Sequence, residues 1–269
     1  MGVLNVTPDS FSDGGEFNSL DAALLQAQYF MAGEADIIDI GGQSTRPGAV
    51  QISLEEELNR VLPVIKALQN PEEEIYKNAL PISIDTTRAS VARAAVEAGA
   101  DIVNDISSGT FDADMFSVVA ELGVPIVLMH IRGTPETMQK LTDYQDLIGE
   151  IYQFLEGRIA AAIASGIHPA KIIIDPGIGF AKTYEQNLEI LQHLSAFRPL
   201  GCPILVGVSR KSFIGKILNQ PDPKARIWGT AAACCGAIAG SVDILRVHDL
   251  PEMRDVCRVA DAIFRKCKN

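Results

Sequence analysis

The chain has 269 residues, a formal net charge of −11, and 47% hydrophobic against 21% charged residues. Such a composition can bury a substantial core and excludes a disordered chain. The acidic balance excludes non-specific nucleic-acid binding, which needs a basic surface, but leaves room for an anionic small substrate held by a local basic cluster. No apolar run approaches the roughly 18 residues of a membrane-crossing helix. The start, Met1-Gly2-Val3-Leu4-Asn5, lacks the basic region, apolar stretch and cleavage site of a secretion signal.

Eight short apolar runs follow in order, each ending in polar or charged residues: 2–7, 36–41, 81–86, 101–105, 125–130, 171–176, 203–211 and 243–249. Runs rich in Ile and Val, separated by helical stretches, predict parallel strands buried on both faces. Eight of them predict a single (β/α)8 barrel spanning 1–269, whose site lies at the carboxyl ends of the strands. Helical periodicity predicts helices over 20–32, 54–68, 90–98, 115–122, 144–164, 185–194 and 251–264, and a tightly packed small-residue helix within 229–240. Gly33, Gly99 and Gly166 follow helices, where glycine accepts the left-handed conformation that ends them. Asp36, Asp101 and Asp243 open strands and are assigned structural roles at the bottom face. Residues 71–81 look like a solvated loop. The five cysteines form no CxxC pair and no metal spacing, as expected of reduced thiols in a cytosol.

Three groups of residues gather at the predicted mouth. Two long strand-to-helix loops, 5–15 and 41–48, have the length of lids and hold Phe11 and Arg46 among glycines. Asp85, Asn104 and Asp175 end strands and can converge on a ring offering N–H donors and carbonyl acceptors. Buried carboxylates are costly without partners, so three such groups favour a site over isolated core residues. Arg46, Arg210, Lys211, Arg246 and His248 form a cationic group, and the ends of strands seven and eight are a recurrent phosphate site in barrels. Salt bridges with neighbouring acids would explain any one of them; five at one mouth favour an anion site.

In this order the segments NVTPDSFSDGG (5–15), GGQSTRPGA (41–49), ISIDT (82–86), ADIVNDIS (100–107), MHIRGTPETMQ (129–139), DPGIGFAKT (175–183), VGVSRKSFIG (206–215), GTAAA (229–233) and RVHD (246–249) resemble the dihydropteroate synthase family over nearly the whole chain. The resemblance implies a cytoplasmic transferase of folate biosynthesis. Such an enzyme condenses 6-hydroxymethyl-7,8-dihydropterin diphosphate with p-aminobenzoate, giving 7,8-dihydropteroate and pyrophosphate through a pterin cation. By matching position it implies that Asp85, Asn104, Asp175 and Lys211 hold the pterin, with Asp85 and Lys211 catalytic. Asn5, Arg246 and His248 would hold the diphosphate, with Mg2+ on Asn5 and the substrate oxygens. Thr45, Arg46, Pro47, Phe180 and Ser212 would form the p-aminobenzoate site, where sulfonamides compete. It also implies a homodimer through outer-wall helices, and no membrane or nucleic-acid partner.

The chain departs from the family pattern at Gln43, where Glu is more usual, and at Arg88, where Lys is. Family members usually carry a short segment before the first strand, so the bottom of the barrel is expected to lack a cover, or the chain to be trimmed. The nearest rival is the pterin barrel of methyltetrahydrofolate:corrinoid methyltransferases, which needs neither the Asn5 loop nor the Ser-Arg-Lys-Ser segment. A catalytically silent pterin-binding protein is the rival of another class. A sugar-phosphate barrel explains the basic cluster alone.

Overall fold

The strands are β1 (Gly2–Asn5), β2 (Ile38–Gly41), β3 (Ile82–Asp85), β4 (Ile102–Asp105), β5 (Ile126–Met129), β6 (Ile172–Asp175), β7 (Leu205–Val206) and β8 (Ile244–Leu245). A computed structural model describes residues 1–7, 18–46, 48–70 and 80–265 of the chain. β1 to β6 pair in parallel in sequence order, and β7 pairs with β8. Parallel bridges Ile174↔Ile204 and Gly2↔Val247 join the two sheets at both seams. The result is a closed (β/α)8 barrel, as expected from the eight runs. The hydrogen-bonded ladders are shorter than the runs; the remaining residues form the mouth.

Alternation along the strands sorts side chains between two apolar layers. Leu4, Ile40, Ile84, Val103, Leu128 and Ile174 face outward into the large core shared with the helices. Met1, Ile102, Val127 and Leu205 form a separate cluster with Ile37, Ile173 and Ile244, which plugs the bottom of the barrel from inside. Above that plug the interior turns polar. The register aligns Asn5, Gly41, Asp85 and Asn104 across β1–β4, so three of the expected site residues stand at one level of the barrel.

The helices are α1 (Asn18–Ala32), α2 (Leu54–Leu68), α3 (Ala89–Glu97), α4 (Met115–Leu122), α5 (Leu147–Ala164), α6 (Tyr184–Gln192), α7 (Ser212–Leu218), α8 (Ile227–Ala239) and α9 (Leu250–Phe264). α5 starts later than its periodicity suggests because the Asp146 carboxylate caps it, accepting from the Gly149 N–H at 3.0 Å. Tyr144 instead donates its hydroxyl to the Ala181 carbonyl. α7 was not expected: seven residues are too few to show a period. At the first helix-ending turn the left-handed residue is Glu34 (φ 56°), not Gly33; Gly33 is needed for close packing, since a Cβ there would lie 2.9 Å from Pro251 Cγ. Gly99 and Gly166 do adopt positive φ.

Asp101 accepts from the Ile82 N–H, Asp243 from the Ile204 N–H, and Asp36 pairs with Arg254, so all three serve structural roles. Cys202, Cys234, Cys235 and Cys257 are free thiols; Cys267 lies outside the described residues, as do 71–79 of the expected solvated loop. Among the described residues no helix is long and apolar enough to cross a membrane.

Candidate active site

The deepest polar layer centres on Arg246, just beyond β8. Its Nε donates to Asp39 Oδ2 at 2.6 Å and its Nη2 to Asp85 Oδ2 at 2.8 Å. Asn104 Nδ2 approaches both Asp39 oxygens, at 3.2 and 3.4 Å. One guanidinium therefore binds two strand carboxylates together, and burial of these ions is sustainable because they are paired. Two of the five donors of Arg246, expected to hold the diphosphate, thus serve carboxylates in the barrel. Asp39 was overlooked in the sequence. Its signal was a carboxylate in the middle of the apolar run Ile37-Ile38-Asp39-Ile40, two residues from Gly41 and thus on the inward face. Ser83, its register partner on β3, carries a buried hydroxyl with no partner.

Burial pushes the Asp85 carboxyl up to about 7, with Arg246 pulling down and Asp39, Glu57 and Asp105 pushing up. Asn5 ends β1 beside it: a Cβ at Gly41 would lie 3.7 Å from Asn5 Oδ1 and 3.6 Å from Asp85 Oδ2. Gly41 thus keeps open the space these two side chains share.

Across the mouth, Asp175 ends β6 and accepts from the Gly177 N–H at 2.7 Å. Burial raises its carboxyl to about 6, against that hydrogen bond and the cations Lys211, Lys182 and Arg246. Lys211 precedes α7, and its ammonium stands 4.4 Å from the centre of the Phe180 ring, a cation–π contact. Burial lowers its pKa to about 8, with Asp175 and Asp85 opposing. Gly179 lines this contact: at φ +84°, a Cβ would meet Lys211 Cδ at 3.0 Å. Asp85, Asn104, Asp175, Lys211 and Phe180 therefore belong to one cavity mouth, while Ser212 is exposed at the start of α7.

Not all of the cationic group is free to meet an anion. Arg210 forms a two-pronged pair with Asp249, and its carbonyl accepts from Arg226. Burial, with Arg246 and Arg210 nearby, holds His248 at about 3, so its ring is neutral. The Ser209 hydroxyl accepts from the His248 backbone N–H at 3.2 Å and faces its Nδ1 at 3.1 Å. His248 therefore offers a hydrogen bond, not a charge.

The second loop is fastened at its neck. Gln43 Nε2 donates to the Ser44 and Val50 carbonyls at 2.9 and 3.1 Å, and Gln43 Oε1 accepts from the Ile52 N–H at 2.8 Å. A carboxylate at this position would keep only the last of these. Arg88 bonds Glu57 Oε2 at 2.6 Å and the Ile52 carbonyl at 2.5 Å, and Thr86 donates to Glu57 Oε1. Both departures from the expected pattern thus secure one segment. Thr45 and the exposed Arg46 ride on it, and Gly48 N–H reaches the Pro135 carbonyl at 3.1 Å. Pro47, and residues 8–15 of the first loop including Phe11, lie outside the described residues.

Among the described residues no group of three or more His, Cys, Asp or Glu is arranged to hold a metal. The amide oxygen of Asn5, a hard donor next to Asp85, suits an ion that keeps waters and substrate oxygens as its other ligands.

The family described as pterin binding enzymes matches residues 1–248. A dihydropteroate synthase from Synechocystis is 60% identical over 265 residues, which cover 98% of this chain and 90% of that protein. Among solved structures, that of the Clostridium difficile dihydropteroate synthase in the presence of pteroic acid superposes with a TM-score of 0.91 at 45% identity, covering 99% of this chain and 96% of the other. That of the Xanthomonas albilineans dihydropteroate synthase with 4-aminobenzoic acid gives a TM-score of 0.90 at 41% identity, covering 98% and 92%.

Proposed function

The chain belongs to the dihydropteroate synthase family of pterin-binding enzymes, and from that premise we propose a division of labour among its residues. The reaction joins 6-hydroxymethyl-7,8-dihydropterin diphosphate to p-aminobenzoate, giving 7,8-dihydropteroate and pyrophosphate, a transferase step of folate synthesis. The observation that carries the assignment is the polar row Asn5–Asp85–Asn104, underpinned by Asp39 and Arg246 and faced by Asp175 and Lys211.

Asn104, Asp175 and Lys211 hold the edge of the pterin in the deep pocket, with Asp85 beneath its reacting side. Asn5 and His248 take the diphosphate, His248 as a neutral donor, and Arg246 acts from below by fixing Asp85. Asn5 Oδ1 would be the protein ligand of Mg2+, which when bound neutralises charge on the diphosphate oxygens. The carbon–oxygen bond breaks with its electron pair leaving on the diphosphate, and positive charge spreads over the pterin. Asp85, anionic beside Arg246, stabilises that charge. The amine of p-aminobenzoate then forms the carbon–nitrogen bond and gives up a proton to an oxygen of the departing pyrophosphate. Thr45, Arg46, Pro47, Phe180 and Ser212 receive p-aminobenzoate, and sulfonamides compete there. Closure of the loops keeps water from capturing the cation.

We further propose that the enzyme works in the cytoplasm as a homodimer. Trp228 on α8 and Val259, Ile263 and Phe264 on α9 are exposed and support an outer-wall interface; light scattering that returns a monomeric mass would overturn it. The main test is dihydropteroate formation by the purified chain given both substrates and Mg2+, run beside Lys211→Ala. Turnover abolished by the substitution supports the assignment. Pterin binding without turnover in the parent chain would point to a silent binding protein.

A further inference from the structure

Lys182 is a buried cation that the reaction as described leaves idle. It is 3% exposed, and its neighbour His130 is 2% exposed. Its ammonium has two acceptors: His130 Nδ1 at 2.9 Å and the Phe180 carbonyl at 2.8 Å. In its charged form Lys182 can only donate, so there Nδ1 accepts and the His130 proton sits on Nε2; the neutral amine still keeps an N–H for the Phe180 carbonyl. Burial and the neighbouring Lys182 and Arg132 push His130 down to about 2, which keeps the ring neutral for that purpose. Burial likewise drives Lys182 well below its usual value, while Asp175 pulls it back up. An apolar chain of the same length would fill this space without the cost of burying a charge.

What the ammonium holds is the loop between β6 and α6. His130 lies at the end of β5, where its N–H bonds the Asp175 carbonyl at 2.9 Å. Its ring is fixed edge-on by Phe154, with centroids 4.9 Å apart. A Cβ at Gly177, whose N–H orients the Asp175 carboxylate, would lie 3.3 Å from Lys182 Nζ. Three residues on, the Phe180 carbonyl is gripped by the same ammonium. The loop is thereby tied to β5 at the two points that carry Asp175 and Phe180.

We propose that Lys182 is a positioning residue: seated between His130 Nδ1 and the Phe180 carbonyl, it locks the loop from Asp175 to Thr183 so that the carboxylate and the Phe180 ring meet the two substrates in register. This rests on reading the mouth as a two-substrate site. It differs from a purely structural role, which would lower the active fraction and leave each site's affinity intact.

Lys182→Met keeps the length and removes the donors; Lys182→Gln keeps one donor for the Phe180 carbonyl. In steady-state assays Lys182→Met is expected to raise the KM for p-aminobenzoate about tenfold or more, since displacements near 1 Å can cost two orders of magnitude in rate. Pterin affinity measured by calorimetry falls with it, and Lys182→Gln recovers part of both losses. Lys182→Met with both KM values and the pterin Kd within about twofold of the parent, under half a kcal/mol, would overturn the proposal whatever its melting temperature. If Lys182→Met does not fold, Lys182→Gln and His130→Asn decide by the same criterion. Absence of turnover in the parent chain strikes at the condensation itself, while the pterin Kd comparison still tests the lock.

Discussion

Replacing Arg246 by Met removes the one cation that, among the described residues, bonds both Asp39 and Asp85. Their side chains are 0% and 7% exposed, against 21% for Arg246. Two charge-assisted hydrogen bonds, at 2.6 and 2.8 Å, are lost, each worth about 1.5–3 kcal/mol. Proton uptake by one carboxyl limits the damage, because Asp85 already sits at about 7. The expected loss at neutral pH is about 3–5 kcal/mol, the range for breaking a buried pair from one side. For a chain of this size that corresponds to a fall in melting temperature of roughly 10 °C.

The pH dependence sharpens the test. A carboxyl whose native pKa lies above its unfolded value binds more protons when folded, so its contribution to stability falls as pH rises through the window between them. For Asp85 that window runs from 3.8 to about 7. Without the downward pull of Arg246 it extends further up, so the gap between parent and Arg246→Met widens from pH 6 to pH 8. Calorimetric or fluorescence melts at both values measure this directly. A variant melting within about 2 °C of the parent at both pH values, less than 1 kcal/mol, would refute the reasoning. If it also showed a raised KM for the pterin diphosphate, Arg246 would be a free anion ligand instead.

Three other perturbations probe the site. The pH profile of kcat/KM, which reports the free enzyme, should be bell-shaped, with an acid limb near 7 from Asp85 and an alkaline limb near 8 from Lys211; Asp85→Asn should flatten the acid limb, and an acid limb that survives in Asp85→Asn would contradict the assignment. Gly179→Ala forces a Cβ at φ +84° to within 3.0 Å of Lys211 Cδ, costing about 1–3 kcal/mol of backbone strain and moving the ammonium off Phe180; kcat/KM should fall more than about tenfold, and parent-like kinetics would show the contact to be idle. Gln43→Ala removes three hydrogen bonds at the neck of the second loop, each worth about 1 kcal/mol; the KM for p-aminobenzoate should rise while the pterin Kd holds, and equal shifts in both would place the effect elsewhere.

The order of eight strands was legible because each is an apolar run buried on both faces, and burial leaves a pattern that needs no partner to be read. The same holds for Asp85, Asn104 and Asp175: the alternation of a strand and the position of its end fix both the face and the level of a side chain, whereas Lys211 lies beyond β7 and is placed by the turn into α7. Helix α7 left no such trace, since its seven residues complete barely two turns. Who pairs with whom was decided only in three dimensions. Arg246 and Asp39 are 207 residues apart in sequence, and no local period links them. That Arg210 is spent on Asp249, that His248 is uncharged, and that Lys182 stands buried between a ring nitrogen and a carbonyl all depend on distance and desolvation. Sequence supplied the inventory of charges and their heights in the barrel; folding determined which stay ionised and which are neutralised, because charge energetics follow separation and burial, not spacing along the chain.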